Sequence, residues 1–348
     1  MATTEIESLE AAFRSAQARL GIATGLLTRD EWMALNPTNP DRGSYGMMMR
    51  ILRGILGLRS ASRRLTKSYY RLARALEIGR TLGEDTEPTT LDQLREEFQN
   101  DLEQIQTLDF GWEDQSPEER YAASELGELS RSDPASFESG ELDDSLAEWI
   151  DSIVSDDGEV RTDRVEWTND RIQSLEDAVE SFRKLIGDNG IRAIKDRIKT
   201  LKRKYGDDPD RLLAEIDDAF VTVRDILAGV VDKIVMDSGR ELVDNTVDRD
   251  ISARWFARGV RSNPCHFCSM LASRGFVYRS ERAAIRGTHP NCHCFPIVRW
   301  GDSPDLPEQN SYYQKMWDEV TADYIGKDKV KAWRRWIAKR RVKRGGKL

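Results

Sequence analysis

Every cysteine and every histidine of this chain lies within one window of thirty residues. The pattern is Cys-x-x-Cys, twenty further residues, and then His-x-x-Cys-x-Cys. Two cysteines separated by two residues can present both thiolates to one ion, and a second pair about twenty residues later can complete a tetrahedral site. This spacing predicts a small module that a bound metal folds and holds together. The residues of the window are Cys265, His266, Cys268, His289, Cys292, His293 and Cys294.

Zn²⁺ is the ion that these donors favour, because it accepts sulfur and nitrogen ligands together and has no redox chemistry of its own. We expect Cys265 and Cys268 to be ligands, with His289 and Cys292 completing the site. Cys294 competes with these two, since only two ligands are needed from the second half. A closed set of four ligands leaves no position for substrate or water, so the predicted zinc is structural. Disulfide bonds, unligated thiols and a catalytic metal are the alternatives.

Catalytic signatures are missing from the sequence. It has no Gly-x-Ser-x-Gly elbow, Walker A loop, His-Glu-x-x-His pair or Rossmann glycine fingerprint. Half of a zinc deaminase signature is present at Pro264-Cys265-x-x-Cys268, but no histidine precedes His266 to supply the required His-x-Glu. A nucleophilic Cys265 or Cys292 paired with His289 would need a thiolate that no metal holds. We therefore expect no catalytic residue.

The composition argues against a transmembrane protein, a secreted protein and a disulfide-built scaffold. The chain has 348 residues, of which 39% are hydrophobic and 33% are charged, which suits two or three domains. No run of eighteen apolar residues occurs, and the acidic N-terminus lacks the order of a secretory signal. Four cysteines are too few for a disulfide-built scaffold. These features predict a soluble protein made in a reducing cytosol.

The net charge of −8 hides a strong asymmetry along the chain. The segment from Asp101 to Val160 contains 19 acidic residues and only two arginines, whereas residues 327–348 contain 11 basic residues and one aspartate. Such blocks usually mark solvated faces, linkers or interaction tails. We expect short helices and loops in the acidic block, with part of it disordered.

Helical periodicity predicts a mainly α fold with elongated helical N-terminal and middle regions. Helices are expected over Ala2–Leu20, over Ser44–Leu82 with Gly83 ending it, and over Leu91–Leu108. The second helix has a basic side, which we interpret as solvated, with nucleic-acid contact as the alternative. Its apolar side comprises Met48, Ile51, Leu52, Ile55, Leu65, Tyr69, Leu72 and Leu76.

Three more helices are predicted after Asp163. The first should end at Gly187, the second should end before Gly206, and the third should begin with Asp208 as N-cap and Pro209 in the first turn. The first has the apolar face Ile172, Leu175, Val179, Phe182 and Ile186, and the second has Ile191, Ile194, Ile198 and Leu201. The third has Leu213, Ile216, Phe220, Val223, Leu227, Val230 and Ile234.

The sequence divides into five predicted regions. Residues 1–85 form an N-terminal helical region, 86–160 an acidic helix and loop region, and 161–245 a second helical region. Residues 246–310 form a small α+β Cys/His module, with short strands expected at Gly275–Tyr278 and Phe295–Val298. Residues 311–348 form a basic C-terminal helix and tail.

One part of the sequence resembles a known family. It comprises Arg254-Trp255-Phe256-Ala257-Arg258, the run from Asn263 to Gly275, the segment His289-Pro290-Asn291-Cys292-His293-Cys294, and Pro296-Ile297-Val298. This part resembles the C-terminal region of MuF-like minor head proteins of tailed bacteriophages, especially those of phages that infect actinobacteria. The similarity is strong from about Asp248 to Trp300 and weaker in the N-terminal helices.

The resemblance implies a minor capsid protein in low copy number, placed inside the virion head near the portal and acting in head morphogenesis. The implied partners are the portal protein and the major capsid protein, and the implied place of assembly is the host cytoplasm. No small-molecule substrate is implied. Some relatives carry the label capsid maturation protease, so a protease acting on scaffold or capsid protein is the alternative function.

The basic C-terminal segment points to one more partner. Val330, Trp333, Trp336 and Ile337 fall at helical spacing among lysines and arginines. We expect the tryptophans to pack against protein and the basic groups to contact packaged DNA through its phosphates. The candidate DNA-binding residues are Arg334, Arg335, Lys339, Arg340, Arg341, Lys343 and Arg344.

Overall fold

The computed structural model describes residues 2–108, 140–153, 158–167, 175–261, 264–290 and 292–343. Its elements in the N-terminal half are α1 (Ala2–Met33), α2 (Ser44–Ile78), β1 (Arg80–Gly83), β2 (Thr89–Thr90), α3 (Leu91–Gln106), α4 (Gly140–Ser152) and β3 (Glu159–Arg164). The helical middle comprises α5 (Leu175–Ile186), a π-helical segment (Gly187–Arg192), α6 (Ala193–Tyr205) and α7 (Pro209–Val247). The C-terminal part contains β4 (Trp255–Gly259), α8 (His266–Ala272), α9 (Glu281–Ile285), β5 (Phe295–Arg299), α10 (Glu308–Thr321) and α11 (Lys327–Lys343).

The long helices α1, α2 and α7 pack together and form the centre of the molecule. The apolar residues that recur at threes and fours along α2 line this core, as the sequence predicts. Phe13 of α1 stacks on Tyr69 of α2, with ring centroids 4.2 Å apart. Trp32 lies against Phe220 of α7 and donates a hydrogen bond of 3.0 Å to its carbonyl oxygen. The mainly α fold with a small α+β Cys/His module is therefore confirmed.

Two predicted helix starts are capped by side chains, and the cap at Asp208 is the one that the sequence predicts. The side chain of Asp208 accepts a hydrogen bond of 3.1 Å from the backbone N–H of Arg211, and Pro209 begins α7. The start of α3 is a capping box, in which Thr90 and Gln93 each accept a hydrogen bond from the other's backbone N–H. These bonds satisfy N–H groups that have no partner within the helix.

The predicted end of α2 at Leu82 is wrong. The helix ends at Ile78 because Gly79 takes a left-handed conformation (φ 64°) and its N–H bonds to the carbonyl of Ala75. The next four residues form β1, which pairs in parallel with β3, while β2 pairs with the other edge of β3 in antiparallel. These pairings join segments that are far apart in the sequence, so helical periodicity gives no sign of them.

The predicted helix break at Gly187 is also wrong. The chain passes through a π-helical segment and continues directly into α6. In a continuous α-helix, two side chains eight residues apart, such as those of Ile186 and Ile194, point about 80° apart around the helix axis. A π turn accommodates one extra residue and reduces this angle to about 20°. The π segment therefore keeps Ile186 and Ile194 on the same buried side. A Cβ on Gly190 would lie 3.0 Å from the ring of Trp32, which explains the glycine there.

Two smaller predictions also fail. Leu213 was expected in the core face of α7, but its side chain is 50% exposed because it lies in the first turns of the helix, before the core begins at Ile216. The predicted strand at Gly275–Tyr278 is a single bridge between Tyr278 and Phe256. The predicted strand at Phe295–Val298 is present as β5, which pairs with β4 in antiparallel, Gly259 opposite Phe295.

The described part of the acidic block contains a helix anchored to the body of the protein. Trp149 of α4 is fully buried and packs edge-on against Phe98 of α3, with ring centroids 5.1 Å apart. The prediction of loops and partial disorder over residues 109–139 lies outside the described residues. So does Ile172, which was predicted to belong to the apolar face of α5.

Two hydrophobic cores occur in the described part of the chain. The larger runs from Leu9 to Trp300 and includes β4 and β5, and the smaller surrounds the cysteines and includes Trp333 and Ile337. The five-region division stays a prediction. None of the described helices is long and apolar enough to cross a membrane.

Two substitutions on α7 test this packing. Phe220→Ala should lower the free energy of unfolding by about 3–5 kcal/mol, because it removes a fully buried ring that contacts Trp32. Leu213→Ala, on the same helix but half exposed, should change it by less than about 0.5 kcal/mol. Urea denaturation of the full chain measures both values, and equal losses would contradict the described helix orientation.

Candidate metal centre

Short elements at one end of the larger core bring the cysteines together. Cys265 is the N-cap of α8, and its sulfur accepts a hydrogen bond of 3.3 Å from the backbone N–H of Cys268 in the first turn. Cys292 and Cys294 lie directly before β5. His289 follows α9, and its carbonyl accepts the N–H of Cys292 at 3.1 Å. The turn between His289 and Cys292 therefore faces the turn between Cys265 and Cys268.

The five predicted ligands form two overlapping groups that share Cys268. Cys265, Cys268 and His289 form one group, and Cys268, Cys292 and Cys294 form the other, with all ligand atoms of a group within 4.8 Å of one another. Cys268 Sγ lies 3.6 Å from Cys292 Sγ, and Cys265 Sγ lies 3.3 Å from His289 Nε2. The structure thus brings together every residue that the sequence analysis selected as a ligand.

One separation in each group is close to that expected between two ligands of a tetrahedral zinc ion. Zn–S bonds of about 2.3 Å and Zn–N bonds of about 2.0 Å place neighbouring ligand atoms roughly 3.5–3.8 Å apart. The observed separations of 3.6 and 3.3 Å are close to these values. His289 also holds a suitable orientation, because its Nδ1 bonds to the carbonyl of Pro290 at 2.8 Å and leaves Nε2 facing the sulfurs. All four cysteines are free thiols.

The sulfur groups differ in how readily they lose a proton. Hydrogen bonds from Cys268 and His289 lower the pKa of Cys265 to about 4, and the bond to Cys265 raises the pKa of His289 to about 9. The hydrogen bond with Cys268 also lowers the pKa of Cys292. A hydrogen bond with Cys268 lowers the pKa of Cys294. The hydrogen bond with Cys292 and the burial of the thiol outweigh this effect and raise the pKa of Cys294 to about 12. Cys265 and Cys292 are therefore the readier anionic donors to a cation.

Sequence reasoning missed two buried arginines beside the cluster. Arg240 of α7 donates hydrogen bonds to the backbone carbonyls of Cys292 and Cys294, the second at 2.8 Å, and pairs with Asp237 at 2.7 Å. Arg258 of β4 is fully buried and reaches Cys268 Sγ at 3.5 Å. Arg258 stands in the segment that resembles the phage family, but only the folded structure shows what its side chain contacts.

His293 points away from the ligand groups. Its Nε2 lies 3.1 Å from Asp232 Oδ1 of α7, and both side chains are buried. This contact and the bonds of Arg240 attach the Cys292–Cys294 segment to α7 on two sides. The cluster is therefore packed against the helical body and is not a separate domain on a linker.

The C-terminal helices close the cluster from the other side. Trp333 of α11 is fully buried and donates hydrogen bonds to the carbonyl of His266 and to Ser269 Oγ, at 3.0 and 3.1 Å. Its ring stacks on Trp336, with centroids 4.8 Å apart. The expected packing of both tryptophans against protein is thus confirmed.

The candidate DNA-binding side chains follow the outer side of α11. Arg334, Arg335 and Lys339 are exposed, whereas Arg340 is half-buried over the rings of Tyr312 and Trp336. The side chains of Arg341 and Lys343, and the whole of Arg344, lie outside the described residues. On the basic side of α2, Arg59 bonds to the Ile234 carbonyl and Arg71 pairs with Glu97, whereas Arg53 and Arg64 are exposed as expected.

The fold and the cluster define a mainly α protein with a Cys/His centre of metal-binding type. The model of the VG15 protein family matches residues 113–320, which is more than half of the chain and includes all five candidate ligands. The chain therefore belongs to the VG15 protein family, a family of viral gene products, and it is a phage protein. No curated protein and no solved structure matched the chain.

Cysteine replacement tests which residues are essential for metal binding. Cys268 belongs to both ligand groups, so Cys268→Ser should reduce the zinc content of the purified chain from about one per molecule to near zero. Cys294→Ser is the matched control and should retain zinc, because four ligands remain. Elemental analysis by mass spectrometry measures both. Equal zinc contents in the two variants would contradict the central position of Cys268.

Proposed function

We propose that this phage protein is a minor capsid protein of the MuF-like type, present in low copy number inside the head near the portal. Its helical body docks on the portal or major capsid protein, and its Cys/His module is a structural part stabilised by zinc. Its role is assembly of the head and not catalysis. Membership of a viral protein family and the resemblance around the cysteines support this proposal.

The observation that carries the proposal is the burial of three of the four sulfurs in the Cys/His cluster. Cys268, Cys292 and Cys294 are buried, and the helices on either side of them belong to the two hydrophobic cores. The cavity beside Cys294 and Phe295 has a volume of about 10 Å³, room for one water molecule and not for a substrate. Buried sulfurs of this kind suit a structural role in stabilising the fold.

We assign the zinc ligands to Cys265, Cys268, His289 and Cys292. Cys292 is preferred over Cys294 because its sulfur lies 3.6 Å from that of Cys268. Bound zinc supplies a cross-link between α8 and the segment before β5. It joins the two halves of the module without the need for a disulfide bond.

A second candidate function, a maturation protease, has one observation in its favour. Cys265 Sγ and His289 Nε2 lie 3.3 Å apart, and His289 is exposed. This is the contact that a cysteine nucleophile makes with its base. The same sulfur also belongs to a ligand group with Cys268, and a metal-bound thiolate cannot attack a peptide bond. The assembly role is therefore preferred.

Quantitative mass spectrometry of purified virions tests the proposed function. The chain should be found intact and at a copy number far below that of the major capsid protein. A phage that carries Cys265→Ser should still contain fully processed head proteins. Absence of the chain from mature particles, or unprocessed head proteins in the variant, would favour the protease.

A salt titration tests contact between α11 and DNA. The triple variant Arg334→Gln, Arg335→Gln and Lys339→Gln removes three exposed charges, so the slope of log affinity against log salt should fall by roughly 2–3. The control replaces Lys199, Lys202 and Arg203, exposed on α6, by glutamine and should leave the slope unchanged. Equal effects of the two triple variants would show that α11 makes no specific contribution.

A further inference from the structure

Arg258 is fully buried, and no carboxylate of the described residues pairs with it. Its guanidinium donates hydrogen bonds to the carbonyl of Ala284 at 2.6 Å, to the carbonyl of Arg286 at 2.7 Å and to Cys268 Sγ at 3.5 Å. Within the part of the chain that the structure describes, it forms no ion pair with any Asp or Glu. The other fully buried arginine, Arg74, pairs with Asp250 and Asp163.

This arrangement gives the Arg258 guanidinium hydrogen-bond acceptors, but the two carbonyls among them do not neutralise its positive charge. A guanidinium keeps its proton at any pH at which the protein is folded. A buried charge without a counter-charge is strongly destabilising, and carbonyl dipoles do not cancel it. The Cys268 sulfur is the one contact among the three that can carry a full negative charge.

The neighbouring charges leave the sulfur cluster as the counter-charge. Arg240 approaches the cluster from α7 and pairs at 2.7 Å with Asp237, a carboxylate that also pairs with the more exposed Lys233. His293 pairs with Asp232 and faces away from the sulfurs. Arg258, which pairs with no carboxylate among the described residues, is therefore compensated only if the cluster carries net negative charge.

We infer that Arg258 is the buried counter-ion of an anionic metal centre and a determinant of its affinity for zinc. This inference rests on the proposed zinc site. Zn²⁺ with three thiolates and neutral His289 carries a charge of −1, which the guanidinium balances. A pair of disulfides, or four neutral thiols, would carry no charge and would leave Arg258 uncompensated.

The protein holds Arg258 rigidly in this position. Asn310 of α10 donates hydrogen bonds to the carbonyl of Arg258 at 3.0 Å and to the carbonyl of Ala272, at the end of α8, at 2.9 Å. Asn310 is itself buried. β4 and the helix that carries Cys268 are thus held at a fixed distance, and the guanidinium stays beside the sulfur.

Zinc affinity of charge variants tests the inference. Arg258→Met removes the charge and should weaken zinc binding about 10–100-fold, the usual cost of losing a group that supports metal ligands. Arg258→Lys keeps the charge and should recover part of this loss. Arg254→Met is the matched control, because Arg254 precedes the same strand but is exposed and pairs with Asp302, and it should bind zinc as the unmodified chain does. Competition with a chromophoric chelator measures each affinity on the full chain.

A second background separates charge from packing. Cys265→His makes a neutral centre with two thiolates and two imidazoles, so Arg258→Met should cost much less affinity there than in the unmodified chain. Equal costs in both backgrounds, or a lysine variant as weak as the methionine variant, would overturn the counter-ion role. If Arg258→Met fails to fold in the unmodified chain, recovery of folding with Cys265→His supports the inference, and failure in both backgrounds overturns it. An unmodified chain that binds no zinc would instead refute the proposed function.

Discussion

The position of the Cys/His cluster depends on the burial of β5. This strand begins one residue after Cys294, and all five of its residues are buried. Phe295 meets the ring of Phe13 edge-on with centroids 5.1 Å apart, so the strand that follows Cys294 contacts the first helix of the chain. At the other end of β5, Arg299 pairs with Glu10 of α1 and Glu77 of α2. A segment of five residues therefore connects the C-terminal module to the long helices, and it helps to place the candidate ligands Cys292 and Cys294.

Buried charges have a consistent role in this fold. Arg299 and Arg74 each meet two carboxylates from distant parts of the chain. Such pairs add little net stability, but they penalise any arrangement that separates the partners. Arg258 is different, because its counter-charge exists only when the sulfurs are ionised. The charge balance of the module thus links the folded state to metal binding, whereas the helical body has its own balanced pairs.

Much of the fold could be predicted because the signals of a helix are local in the sequence. The apolar spacing of α2 and the Asp208-Pro209 start of α7 are such short-range signals, and both predict helices that are present. The failures concern information that is not local. From the sequence, Gly79 and Gly83 are equally good candidates for the end of α2, and only the pairing of residues 80–83 with β3 decides for Gly79. Gly187 ends no helix because packing against Trp32 favours a π-helical segment at Gly190. The spacing of the cysteines predicted the candidate ligands, but it could not predict that Cys268 is shared by two groups or that Arg258 and Arg240 lie beside them.

The basic C-terminal helix of this phage protein packs on the Cys/His centre, which in turn packs on the helical body. We propose that the centre binds zinc through three sulfurs and one nitrogen. X-ray absorption spectroscopy at the zinc edge of the purified full chain should show one shell of three sulfurs at about 2.3 Å and one nitrogen at about 2.0 Å. A chain without zinc, or a shell of oxygen atoms with the four cysteines in disulfide bonds, would contradict it.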